Sequence, residues 1–124
     1  MATVEQMTAA VHGYVEAFDK GDPEIAVALF AAEATVEDPV GTPAKRGLDE
    51  IRAFYTASMQ TGAKLRLEGP IRCAADSAAF AFRVQLTLEG KMVTVDVIDI
   101  FRFNDAGKVI EMKAYFGPDN MTGF

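Results

Sequence analysis

The chain has 124 residues, half of them hydrophobic, with 12 Lys plus Arg against 18 Asp plus Glu and a formal net charge of -6. That length suits a single domain over residues 1–124, able to bury a core and still leave a small-ligand pocket; the acidic balance and the singly scattered basic residues argue against nucleic acid as a partner. One cysteine, Cys73, allows no intramolecular disulfide, and a single histidine leaves no Cys/His cluster at metal-site spacing.

Thr3 and Gln6 stand at capping-box spacing, and Met7, Val11, Tyr14, Val15 and Phe18 recur at three- and four-residue steps, which predicts an amphipathic helix ending near Lys20-Gly21. No basic segment followed by an apolar one opens the chain, and no run of about 18 uncharged apolar residues occurs, so neither export nor a membrane span is expected and the cytoplasm is the simplest location. Asp22-Pro23 supplies an N-cap and a first-position proline for a second helix of about three turns, with Ile25, Leu29 and Phe30 on its apolar side before Glu33. Ala34 to Gly41 reads as a short extended piece broken by Pro39, and a loop follows through Pro43 and Gly47. Ile51, Phe54, Tyr55 and Met59 then repeat at helical spacing in a third helix from Leu48 to about Gln60.

The period changes in the second half. Lys64 to Leu67, Ile71 to Ala75, Ala78 to Leu88, Met92 to Phe103 and Lys108 to Phe116 read as strands, separated by Asp76-Ser77, Glu89-Gly90-Lys91 and Asn104-Asp105-Ala106-Gly107 turns that make neighbours antiparallel. Helices first and a meander afterwards predict an α+β domain: three N-terminal helices on a curved, mainly antiparallel sheet. Phe80, Phe82, Val84, Leu86 and Leu88 share one strand face, and Ile110, Met112, Ala114 and Phe116 share another. The surplus of aromatic residues over a small core leaves room for a flat apolar ligand. Ile98 and Ile100 point to the opposite sheet face, which a symmetric homodimer would cover.

Three polar groups fall on apolar faces. Asp99 stands in the most apolar stretch, Val93 to Phe101, in a row with Val95, Val97, Phe101 and Phe103, where burial penalises the charged carboxylate and favours a neutral acid able to donate a hydrogen bond. The plain alternative is a structural Asp tied to a backbone amide or an arginine, although Arg102 alternates to the other face. Tyr14 lies in the apolar stripe of the first helix, where its hydroxyl requires a partner. Asp38 sits on the proline-broken segment, either as an ordinary turn residue or as a carboxylate facing the cavity; Glu37 competes for that role, and only one of the two adjacent residues can face inward. His12, Cys73 and Asp96 are read as a solvent-facing helix residue, a small strand hydrophobe and a polar position on the outer face.

Met7-Thr8-Ala9, Tyr14, Val27-Ala28-Leu29-Phe30, Ala34 to Gly41 with its Thr-Val-Glu-Asp-Pro core, Ile51-Arg52, Phe54-Tyr55, Ala79 to Phe82, Ile98-Asp99 and Phe101 to Asn104 together resemble the bacterial 3-oxo-Δ5-steroid isomerases, the ketosteroid isomerase family, over nearly the whole chain. The resemblance implies a nuclear transport factor 2-like fold, a conical domain around an apolar pit, assembled as a homodimer. It also implies cofactor-free isomerisation of a steroid substrate, with Asp38 as general base and Tyr14 plus protonated Asp99 as oxyanion-hole donors. Tyr55 matches the position whose hydroxyl bonds the Tyr14 phenol, and Phe54, Phe82, Val84, Phe101, Met112 and Phe116 resemble the pocket walls. Phe30 stands where some members carry a third tyrosine, and Phe116 where some carry tryptophan. Two other classes use such a scaffold: a module that binds an apolar molecule without turnover, and a polyketide cyclase or epoxide hydrolase, for which no Asp-Arg-Asp set is evident.

Overall fold

In the computed structural model, described over residues 1–123, the N-terminal helix α1 (Val4–Lys20) begins at a complete capping box. The Gln6 amide donates to Thr3 Oγ1 at 3.0 Å, and the Thr3 amide donates to Gln6 Oε1 at 2.8 Å. Gly21, in the left-handed region at φ 63°, ends the helix as its C-cap. Met7, Val11, Tyr14, Ala17 and Phe18 form its buried stripe.

The second helix, α2 (Pro23–Val27), starts at its Asp22 cap as expected but is a single short piece, and strand β1 (Phe30–Glu37) already begins at Phe30. The expected three-turn helix through Phe30 is thus corrected. Leu29 O accepts the Val109 amide at 2.9 Å, Phe30 pairs in parallel with Val109, and Lys108 Nζ closes off Ala28 O at 2.8 Å. Those long-range bonds outweigh the local helical spacing of Ile25 and Leu29.

A two-residue strand β2 (Lys45–Arg46) pairs back on β1 and leads into α3 (Gly47–Gln60), whose Ile51 and Tyr55 are buried. The meander follows: β3 (Lys64–Leu67), β4 (Arg72–Ala74), β5 (Ser77–Leu88), β6 (Lys91–Phe103) and β7 (Val109–Tyr115). A 3-10 turn at Pro118–Asn120 and a short strand β8 (Met121–Thr122) complete the described chain. The sheet order is β2-β1-β7-β6-β5-β3, with β4 also on β5 and β8 also on β6. The β1–β7 pair is parallel, and the other pairs among the described residues are antiparallel.

The long hairpin of β5 and β6 runs in register from Ser77↔Arg102 to Leu88↔Lys91, and its twist curls the sheet into an open half-cone that the helices close on one side. Val93, Val95, Val97, Asp99, Phe101 and Phe103 are all buried on its concave side, whereas Met92, Asp96 and Ile98 face out. A register shift between Arg102 and Phe103 breaks the β6–β7 ladder, pairing Arg102 with Glu111 but Phe103 with Val109. The extra residue, Ile110, is turned to the outer face beside Glu111 and Lys113 rather than sharing a face with Met112 and Ala114, and Val109 takes its place in the core.

Candidate active site

An apolar cavity of about 290 Å³ opens between the helices and the concave sheet face. Phe82, Val84, Leu86, Val93, Val95 and Val97 supply its sheet wall, and Phe54, Ser58 and Thr61 supply a helical one. These three stand four and three residues apart, one face of the end of α3. Their polar capacity is spent locally: Ser58 Oγ donates to Phe54 O at 3.0 Å and Thr61 Oγ1 to Ser58 O at 2.6 Å. Polarity in the cavity is therefore concentrated on Tyr14, Asp38 and Asp99, which all line it.

Sheet register explains how they meet. Phe80 pairs with Asp99, and Asp99 with Ala114. One strand further, Glu37 pairs with Lys113, so Asp38, the next residue, comes level with Ala114. The two carboxyl-bearing positions thus lie two strands apart, about 10 Å between backbones at the usual strand spacing. The small side chain of Ala114, which is buried, stands between them.

Asp99 is 1% exposed, and neither of its carboxyl oxygens has a hydrogen-bond partner among the described residues. Burial, and then the charge of Asp38, push its pKa well above the ordinary carboxylate value. Asp38 is less deeply buried; burial still pushes its pKa up to about 6, against the opposing Lys45 cation. Lys45 pairs in the ladder with Val36, and its ammonium lies 5.9 Å from the centroid of the Phe54 ring. Sequence reasoning missed Lys45, since nothing local signals that a two-residue strand folds back beside the cavity.

Tyr14 is held from three sides. Its ring meets Phe101 edge-on at 5.2 Å and Tyr55 at 5.6 Å, and Phe18 packs at 5.3 Å. Tyr55 Oη donates to Tyr14 Oη at 3.1 Å, a buried bond across 41 residues of sequence, which leaves the Tyr14 hydrogen free to donate into the cavity. Burial first, and then neighbouring acidic groups, push both phenols well above their ordinary value, so they act as neutral donors.

Of the anticipated wall residues, Phe54, Phe82, Val84 and Phe116 do line the cavity. Phe101 and Met112 do not: both are fully buried, paired with each other across β6 and β7, and belong to the core behind Tyr14. Phe18, Val93, Val95, Val97 and Met121 were not anticipated as lining. The three valines were legible in principle, because they alternate in the row that contains Asp99; Met121 carries no local signal.

A cavity lined by a carboxyl with its pKa raised to about 6, a phenol held neutral by burial and a second, buried carboxyl with a raised pKa could serve proton removal next to a carbonyl, with charge collecting on the carbonyl oxygen. Among the described residues no group of three or more His, Cys, Asp or Glu side chains gathers as a metal site.

Comparison with known proteins adds three findings. The SnoaL-like domain family matches residues 11–112. A protein named Steroid Delta-isomerase from Nocardioides simplex is 38% identical over 118 residues, covering 94% of each chain. Among solved structures, the epoxide hydrolase/cyclase-like enzyme SalBIII, described in pyran ring formation in the polyether salinomycin, superposes with a TM-score of 0.92 over the full length of both chains at 22% identity, a likeness of fold.

Proposed function

The chain belongs to the SnoaL-like domain family of the nuclear transport factor 2-like superfamily, and within it to the steroid Δ-isomerases; from that premise we propose that it converts 3-oxo-Δ5-steroids to 3-oxo-Δ4-steroids without a cofactor. The observation that carries the reading is Asp99, a buried carboxyl with neither oxygen partnered among the described residues, facing the same apolar cavity as Tyr14 and Asp38. A buried acid without a partner is costly to a fold, which is reasonable where a ligand oxygen supplies the partner.

The proposed steps balance without any outside reactant. The Asp38 carboxylate removes the proton from the carbon between the ketone and the double bond, and the C–H electron pair moves into a dienolate whose charge rests on the former ketone oxygen. Tyr14 and protonated Asp99 donate hydrogen bonds to that oxygen, in a setting where exclusion of water strengthens them. Asp38 then returns the same proton to the far end of the dienolate, leaving the double bond conjugated with the ketone and the carboxylate regenerated. A pKa near 6 suits this work: the base is ionised at neutral pH yet basic enough to take and hold a proton.

The reading includes a homodimer, because Ile98 and Tyr115 stand 49% and 45% exposed on the outer sheet face, and a cytoplasmic setting. No described helix is long and apolar enough to cross a membrane. The test is the rise of conjugated-enone ultraviolet absorbance when a 3-oxo-Δ5-steroid is added to the wild-type protein and to Asp38→Asn. Turnover by the wild type and its loss in the variant support the reading. Full activity in Asp38→Asn removes the assigned base, and steroid binding without turnover by the wild type makes the protein a binding module instead.

A further inference from the structure

Glu37 and Asp38 leave the end of β1 on opposite sides: Asp38 lines the cavity, and Glu37 lies in a groove of the outer face with Arg46 and Lys113. Glu37 is half-buried and forms no ion pair within 4.0 Å among the described residues. Its Oε1 instead accepts the Gly41 amide at 2.9 Å. That bond bridges the segment carrying Asp38, from the residue before it to the third residue after it. Gly41, at φ +102°, occupies a backbone region that side-chain-bearing residues rarely adopt.

Other ties hold the same segment from its far side. The Val40 amide donates to Ala114 O at 2.8 Å. Thr42 donates twice to Pro39 O, from its amide at 3.1 Å and from Oγ1 at 2.7 Å. The Val40 bond ties the segment to β7 and the Thr42 bonds close it on itself, whereas the Glu37 bond has its acceptor on the other side of Asp38 and so joins the segment to the end of β1, from which Asp38 projects.

Resting on the isomerase reading above, we infer that Glu37 is a positioning residue for that reaction, its carboxylate oxygen fastening the Asp38-to-Gly41 loop so that the base stays aimed at the reacting carbons. A base that takes a proton from one carbon and returns it to another must hold its reach at both, and a misplacement of about 1 Å can lower a rate by about a hundredfold. The acceptor, rather than the negative charge, carries this role, so a glutamine that presents an amide oxygen at the same point preserves it.

Steady-state kinetics of wild type, Glu37→Ala, Glu37→Gln and Asp38→Asn, with amide hydrogen exchange at Gly41, test the inference. The expected result is a kcat about 10- to 100-fold lower in Glu37→Ala with KM changed by less than about twofold, and Glu37→Gln within about threefold of wild type. Gly41 exchange is expected to be about tenfold slower in wild type and Glu37→Gln than in Glu37→Ala. Wild-type kcat in Glu37→Ala overturns the inference, as does equal damage in both Glu37 variants, which would point to charge. Should Glu37→Ala not fold, unprotected exchange at Gly41 in the wild type overturns it alone, and protection kept in Glu37→Gln with near-wild-type kcat supports it. An inactive wild type, or a fully active Asp38→Asn, removes the isomerase reading and this inference with it; an active wild type with inactive Asp38→Asn and unaltered Glu37→Ala removes the inference alone.

Discussion

Replacing Asp99 by leucine is expected to lower turnover and raise stability at once, and the stability gain should grow with pH. Asp99 is 1% exposed and both carboxyl oxygens lack a partner among the described residues, so the fold carries an uncompensated polar group that leucine, of similar size, removes. An unsatisfied buried group of this kind costs about 1–3 kcal/mol, which is the expected gain under acidic conditions where the carboxyl is neutral in both states. The pH term adds to it. Because burial raises the folded pKa, the folded form keeps its proton where the unfolded chain has lost it, so the unfolded state is favoured progressively as pH rises above the ordinary carboxyl value of about 3.9. Through Asp99, each pH unit in that interval removes about 1.4 kcal/mol from the wild type that Asp99→Leu does not lose; the smaller loss from Asp38, whose pKa is also raised, is common to both proteins.

Urea denaturation of both proteins at pH 4, 5.5 and 7, at equal protein concentration, reads this directly: the stability difference in favour of Asp99→Leu should widen by about 1.4 kcal/mol per unit until the folded pKa is reached. Turnover at pH 7 should fall about 10²–10³-fold, the usual loss when one oxyanion donor is removed. A stability difference independent of pH would refute the neutral buried acid. Unchanged turnover would refute its catalytic role whatever the denaturation curves show.

Asp38→Asn should remain folded and lose about 10²–10⁴ in turnover, the typical contribution of a general base. For the wild type, kcat/KM should be level at neutral pH and fall about tenfold per unit below pH 6, because the ionised carboxylate is the active form; a profile flat to pH 5 contradicts the base assignment. Tyr14→Phe should cost about 10²–10³ in kcat, whereas Tyr55→Phe, which removes only the 3.1 Å bond to Tyr14, should cost far less in turnover but about 1–3 kcal/mol in denaturation, since the Tyr14 oxygen loses its donor. Phe101→Ala should destabilise by about 3–5 kcal/mol because the ring is wholly in the core, while Phe82→Ala, at the cavity wall, should raise KM or an inhibitor constant more than it lowers stability.

Much of this protein was legible locally. The capping box of Thr3 and Gln6, the stripe from Met7 to Phe18, the helical face from Ile51 to Met59 and the alternation along β5 and β6 all express periods that neighbouring residues alone create. The departures share one cause. At Leu29 and Phe30, and in the ladder on either side of Ile110, pairing with another strand decides the local structure, ending a helix early or leaving an extra residue in a strand. The same limit applied to the cavity wall: Phe101 and Phe82 both alternate on the concave side, and only packing against Tyr14 assigned one to the core and left the other at the ligand space.

What the sequence by itself determined was chemistry and period: an α+β domain, an acid stranded among valines in Asp99, and a tyrosine on an apolar helix stripe. What only the tertiary structure decided was proximity. The parallel β1–β7 pairing brings Asp38 level with Ala114 and Asp99, the buried bond from Tyr55 frees the Tyr14 hydrogen for the cavity, and the Glu37 bond to Gly41 closes the loop behind Asp38. Side-chain period is a property of adjacent residues, whereas the meeting of groups dozens of residues apart depends on which backbone partners the curved sheet makes available.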